Sequence, residues 1–405
     1  MVRLYPATVV SRSHRPVDVI MEPGVRWWPR LLPLLAATIA VGTDAWVVAG
    51  FLPGLAHDLQ VPPAMAGWSV TVFAVAYAVA APIVAALTST IQPRRLITVA
   101  LIVLAAANLV CALSGGFAFF LLGRVLAAVA ASVVTPAAGV LASRAASERH
   151  RGRALGLVVA GLTIATAVGV PIGSLLAALT SWRVALLGVA VLATLAGLLI
   201  LLTAPNVPAG ARQRIVERLV PLTQPRVVAV LILTTAGMAA AYIPYAYAGT
   251  ALPAARNNLV VVLTAYGIGA VGGSLASGSL TDKFGPTRTL TIAYALMALS
   301  LAALAVRPSV ILVVAMAAVW GASSWMQTPA QQHRLLAAAP GRGPVTIGAN
   351  ASALYIGIAC GNGLGGLLLG AGATPMFLVA AGGAVLALSW NLLLTLRTRA
   401  PETVR

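Results

Sequence analysis

Long apolar windows recur from residue 31 to residue 396, separated by short polar connections. Twelve are distinguishable, at about 31–53, 67–89, 96–114, 118–143, 154–178, 184–204, 227–250, 257–280, 288–306, 309–330, 345–369 and 374–396. About 20 apolar residues carry a helix across the ~30 Å hydrocarbon core of a bilayer, and each window is near that length. Water cannot satisfy backbone groups at that depth, so the windows are expected to be helices. The pattern therefore predicts an all-α integral membrane protein with twelve transmembrane helices. The longest charged connection, 205–226, divides the chain into six-helix halves at 30–204 and 227–396, flanked by tails at 1–29 and 397–405. Within that connection Arg212 to Leu222 alternate basic and apolar residues at helical spacing, which predicts an amphipathic helix on the membrane surface. The second-to-third connections of the two halves, "AALTSTIQPRRLI" at 85–97 and "GSLTDKFGPTRT" at 278–289, are similar short basic turns, as expected for pseudo-symmetric repeats.

Composition supports the same class: 60% of residues are hydrophobic, 8% are charged and the mean hydropathy is +0.97. Soluble domains carry about 25% charged residues. The net charge of +18 would fit a nucleic-acid binder, but its placement excludes that reading. Assigning connections alternately to the two sides puts 22 of the 26 basic residues on the side of the termini and only Arg183, Arg256 and Arg307 on the other. This bias predicts cytoplasmic N- and C-termini. Residues 1–25 lack the apolar core of a secretory signal and read either as a disordered tail or as an extension upstream of Met21. Cys111 and Cys360 both fall in spans and are expected to pack as small apolar groups. None of the four histidines lies mid-span or at a metal-ligand spacing, so neither metal nor cofactor is expected. There is no Ser/His/Asp arrangement, no HExxH and no nucleotide-binding glycine loop, which argues against an enzyme and against direct use of ATP.

Two formal charges stand inside the predicted spans. Asp44 lies in "GTDAWVVAGFLP" (42–53) and Arg124 in "FLLGRVLAAVAAS" (120–132). Span one runs outward and span four inward, so at 1.5 Å per residue both lie roughly 9–14 Å below the outer surface. A shared site between the two helices is the economical expectation, because an isolated buried charge is expensive. Facing Arg124, Asp44 is favoured as the anion; desolvated and apart from it, the protonated form is favoured. A cycle that alters this exposure would load and release a proton. The alternatives are a static buried pair that fixes helix packing and no contact at all.

Four motifs resemble the major facilitator superfamily, and within it the twelve-span drug:proton antiporters of bacteria, over residues 30 to 396. Gly278, Asp282, Lys283, Gly285 and Arg288 are similar to the family's conformational gating turn; in the first half Ser89 or Thr90 stands where the family has aspartate. Arg124 matches the span-four arginine of the proton-coupling region. Gly161, Gly169, Pro171 and Gly173 match the antiporter-type seam of span five, followed by Ser181-Trp182-Arg183 in place of the usual Gly-Trp-Arg. Gly42-Thr43 and Gly50-Phe51-Leu52-Pro53 fit the first-span pattern, but the acid stands one residue early, with Ala45 at its usual place. That displacement turns a helical side chain by about 100°.

The resemblance implies a major facilitator fold, a monomer in the bacterial inner membrane, and export of a small organic molecule against inward proton flow. It also implies a central cavity lined by spans one, four, seven and ten. Thr43, Trp46, Tyr242, Tyr245, Gln327, Asn350 and Tyr355 are the leading candidates for its lining, beside Tyr247, Trp320, Ser323, Ser324, Trp325, Thr328, Ser352 and Asn362. Aromatic faces with neutral hydrogen-bonding groups suit a small neutral or weakly polar substrate. A solute carrier with different coupling or direction, such as one for sugars or nucleosides, and a transport-dead sensor are the alternatives on the same fold.

Overall fold

The computed structural model describes residues 28–147, 150–209, 223–252, 258–306, 309–340 and 342–399. The expected amphipathic helix from Arg212 to Leu222 lies outside these residues, as do residues 1–27 and 400–405 of the expected tails. Among the described residues there is no strand. The helices are α1 (Trp28–Trp46), α2 (Val48–Asp58), α3 (Pro63–Leu87), α4 (Pro93–Ala112), α5 (Phe117–Ala145), α6 (Arg151–Ile164), α7 (Val170–Leu179) and α8 (Trp182–Thr203). The second half holds α9 (Pro225–Tyr242), α10 (Ala248–Ala251), α11 (Leu259–Ala305), α12 (Val310–Ala338), α13 (Gly343–Leu368) and α14 (Ala373–Arg399). Both chain-terminal helices overrun the expected boundaries: α1 begins inside the segment read as a tail to 29, and α14 continues past 396.

Ten of these helical stretches are separately long and apolar enough to cross a membrane, and the bent pair α1–α2 supplies an eleventh crossing. The 47-residue α11 contains two. At 1.5 Å per residue it would run about 70 Å, more than twice the hydrocarbon thickness. It reverses at Gly285, whose φ of 79° and ψ of 160° are open to glycine and hostile to other residues. Pro286 follows and begins the next helix without needing a hydrogen-bond donor. Gly278, expected to share this turn, is helical, with nothing within 4 Å of a Cβ built there.

Three spans expected to be continuous are interrupted. The first bends by 47° at Val47, six residues before Pro53, which cannot donate to the helix ladder. The fifth carries a π-helical turn, Ala165–Gly169, two residues before Pro171. Such a widened turn relieves the clash of a proline ring with the preceding carbonyls. The seventh breaks after Tyr242 into a turn at Pro244, closed by Tyr247 N–H donating to the Pro244 carbonyl at 3.1 Å.

Packing is inverted relative to a soluble protein. Large aliphatic residues such as Ile311 (84% exposed) and Leu367 (81%) point outward, toward lipid, while alanines and glycines make many of the closest helix contacts inside. Apolar surface gains nothing by leaving lipid, so close backbone approach holds the helices together. In the second half Gly357, Gly361 and Gly365 lie one turn apart on α13, and a Cβ on each would stand 2.5, 2.2 and 1.9 Å from the carbonyls of Thr235, Ala239 and Ile243. The halves meet through α3 against α13 and through α11 against the π turn and α7. At the second junction a Cβ on Gly267 would sit 2.2 Å from the Thr166 carbonyl. At the first, Asn362 donates to the Gly67 carbonyl (2.8 Å) and to Thr71 Oγ1 (2.9 Å), and Ser352 donates to the Ala78 carbonyl (3.2 Å).

At the basic end Arg94 donates to the carbonyls of Leu201 and Ala204, capping the C-terminus of α8 with a cation. At the opposite end the Trp182-Arg183 pair ties three connections together. Trp182 Nε1 donates to Asp58 Oδ2 at 2.9 Å, while Arg183 reaches the same oxygen at 3.3 Å and the Ser114 carbonyl at 3.0 Å.

Gly361→Ala is expected to destabilise the protein by about 1–3 kcal/mol, the usual range for overpacking, because the added methyl meets backbone. Gly363→Ala, on the same helix with open space around it, is expected to melt like the wild type. Thermal unfolding in detergent compares the two.

Candidate functional site

Asp44 lies in the last turn of α1, just before the bend, and Arg124 lies early in α5. The structure brings them together. Arg124 Nη1 donates to Asp44 Oδ1 at 2.8 Å and Nη2 donates to the main-chain carbonyl of Asp44 at 3.1 Å; both side chains are fully buried. The guanidinium carbon stands 4.3 Å over the ring of Phe73 on α3. The shift of the acid by one position therefore leaves it facing the arginine. The pair still has spare capacity, since Asp44 Oδ2 and Arg124 Nε have no hydrogen-bond partner among the described residues. A buried polar atom left unpaired costs about 1–3 kcal/mol, so this pocket favours a proton, water or ligand atom that completes it.

The predicted glycine seam of the fifth span packs along α1 on both sides of Asp44. A Cβ on Gly161 would lie 1.8 Å from Thr38 Oγ1, one on Gly169 2.0 Å from Thr43 Oγ1, and one on Gly173 2.4 Å from Val47 Cγ2. Pro171 is buried and stands two residues after the last residue of the π turn. The seam thus fixes the height and rotation of the segment that carries the acid.

Beyond the pair, rings from the second half converge on Trp46 of the first. Its ring is 5.5 Å from Tyr242, 5.8 Å from Trp325 and 6.0 Å from Tyr355, the last nearly parallel at 4°. Tyr355 also stacks on Tyr77 at 3.7 Å and lies 6.3 Å from Phe73, so an aromatic path joins the charge pair to the box around Trp46. Tyr242 continues it to Tyr245, Tyr266 and Trp320.

The profile of the Major Facilitator Superfamily matches residues 34–254 and 227–405. The chain belongs to this superfamily. It is 29% identical over 341 residues to an uncharacterized MFS-type transporter, YbcL, of Bacillus subtilis, covering 83% of this chain and 87% of that one. A chloramphenicol resistance protein of Streptomyces lividans is 32% identical over 346 residues, with 82% and 87% covered. In three dimensions the chain resembles a bacterial homolog of the human lysosomal transporter Spinster, solved inward-facing and unoccupied. The TM-score is 0.71 at 15% identity, over 93% of this chain and 99% of that one. The protein is a multi-pass membrane transporter of the major facilitator type.

Other predicted residues of this major facilitator protein are placed elsewhere. Gln327 and Asn350 are buried, with polar groups engaged inside the second half: Gln327 Oε1 accepts from Tyr294 Oη (3.2 Å) and Asn350 Oδ1 from Thr234 (3.0 Å). Trp320 Nε1 donates to the Ala241 carbonyl at 3.1 Å, and Ser323 and Ser324 donate back to the Trp320 carbonyl, so these groups build helix contacts. Ser352 and Asn362 join the halves, and Tyr247 places its hydroxyl between Gly67 and Gly366. In the gating motif Asp282, Lys283 and Arg288 are exposed on either side of the Gly285 turn. Phe73, Tyr77, Tyr294 and Gln331 went unselected in the sequence. Phe73 and Tyr77 carried one signal, a spacing of four that places both on one helix face.

Arg124→Met leaves Asp44 without its counter-charge and is expected to destabilise the protein by roughly 3–5 kcal/mol. Asp44→Leu combined with Arg124→Met is expected to recover most of that loss, because no lone charge remains. Melting temperatures of the two variants in detergent test this.

Proposed function

We propose that this transporter exports a small organic molecule across the bacterial inner membrane in exchange for protons. Asp44 is the proton carrier and Arg124 its partner, in a chain that works as a monomer with both termini in the cytoplasm. One observation carries the reading. The buried acid is held on one oxygen by Arg124, while its other oxygen has no partner and can accept a proton. Protonation removes the charge that opposes the guanidinium, leaves Arg124 tied to Asp44 through the main-chain carbonyl, and so loosens α1 from α5. A substrate in the adjoining aromatic box is then released or admitted as the halves move. The glycine seam around Asp44 transmits that movement to the fifth span, and the turn from Gly278 to Arg288, with its exposed acid and bases, gates the opposite end. Outward direction draws support from the relative named for chloramphenicol resistance.

The test is flux in proteoliposomes of fixed orientation carrying an internal pH dye, with chloramphenicol among a panel of antibiotics, nucleosides and sugars. Substrate moving one way with protons moving the other is the expected result. Asp44→Asn is expected to lower coupled proton movement at least tenfold. Transport that continues in Asp44→Asn with its proton movement intact removes Asp44 from the mechanism. Transport with no proton movement in the wild type identifies a carrier of different coupling.

A further inference from the structure

We infer that the ring box around Trp46 is a subsite for a neutral planar ring that carries a hydrogen-bond acceptor. The inference rests on the transport reading above, since it names what the cavity receives.

Three observations support it. The first is an unpaired donor: Trp46 is 4% exposed, yet its Nε1–H has no acceptor among the described residues. Indole N–H groups normally find a partner when buried, so this one is short of an acceptor. A bound carbonyl, nitro or ether oxygen would supply it. The second is where the box is built. Trp46 comes from the first half, whereas Tyr242, Trp325 and Tyr355 come from the second, so each of its three ring contacts crosses between the halves. Separation of the halves opens the box rather than deforming either half. The Trp46 and Tyr355 rings are nearly parallel, 6.0 Å apart between centroids, so the two faces that part when the halves separate already share the orientation a planar guest needs.

The third observation sets the charge of the guest. Aromatic boxes beside a carboxylate also suit organic cations. Here, however, Asp44 is already opposed by Arg124, whose guanidinium occupies the face of Phe73, and Phe73 lies 6.3 Å from Tyr355. A cationic guest would meet a fixed cation next to its ring wall, with no net negative charge to offset it. An anion finds no free cation in the box either, since Arg124 is engaged with Asp44. A neutral ring remains.

Calorimetric titration of the purified full-length protein in detergent tests this with two probes, neutral 4-nitroacetanilide and cationic phenyltrimethylammonium. The expected result is that 4-nitroacetanilide binds at least tenfold more tightly. Trp46→Phe, which keeps a ring but removes the N–H, should weaken 4-nitroacetanilide about fivefold, the value of one hydrogen bond near 1 kcal/mol. It should weaken the cation less, because that probe loses only the better ring face and no hydrogen bond. Tyr355→Leu removes a stacking face without touching the donor and should weaken both probes. Tighter binding of the cation, equal affinity in Trp46→Phe, or no binding of either probe would each overturn the inference. Binding that follows the expected order in a protein that moves no substrate in proteoliposomes would sink the export reading and leave the subsite standing. Coupled flux of other substrates without 4-nitroacetanilide binding would do the reverse.

Discussion

A guanidinium deep in a lipid-embedded bundle cannot shed its proton, so the charge of Arg124 is permanent and the surrounding helices are arranged to oppose it. One carboxylate oxygen, one main-chain carbonyl and one aromatic face do so, from two helices. The main-chain contact matters because it binds Arg124 to the path of the backbone as well as to the side chain. The bend at Val47 follows three residues later, so the direction in which the first span leaves the site and the geometry of the ion pair depend on each other. The glycines of the fifth span complete the arrangement by letting a second backbone lie against residues 38 to 47.

The crossings were legible because hydrophobic length is a one-dimensional property, and twelve apolar windows impose their number directly. Asp44 and Arg124 were legible for a related reason: two opposite charges at matching depth in hydrocarbon have few places to go except to each other. The interruptions were harder to foresee. Pro53, Pro171 and Pro244 each mark a weakened ladder, but whether a helix answers with a bend, a π turn or a break depends on the helices packed around it. Gly285 was readable as a turn; Gly278, read with it, stands in helix instead, since small residues also serve open helix surfaces.

The box of rings was only half readable. Trp46, Tyr242 and Tyr355 stand out as aromatics in otherwise aliphatic spans, but so do interfacial residues, and depth alone does not separate the two. Gln327 and Asn350 show the converse. A polar residue inside a span invites a ligand role, yet these amides find partners on neighbouring helices of the same half. Which of the two holds is a property of three-dimensional neighbours that no spacing encodes.

The rings that cross between the halves have a consequence for fidelity. Opening an empty box wets aromatic surface: exposing half of one tryptophan, about 100 Å², costs about 2.5 kcal/mol at ~25 cal/mol per Å². That alone reduces the unladen open population by nearly two orders of magnitude. A guest that keeps the rings dry removes the penalty. On the proposed cycle, the same ring contacts therefore suppress slippage, the futile passage of the empty carrier, alongside the turn from Gly278 to Arg288.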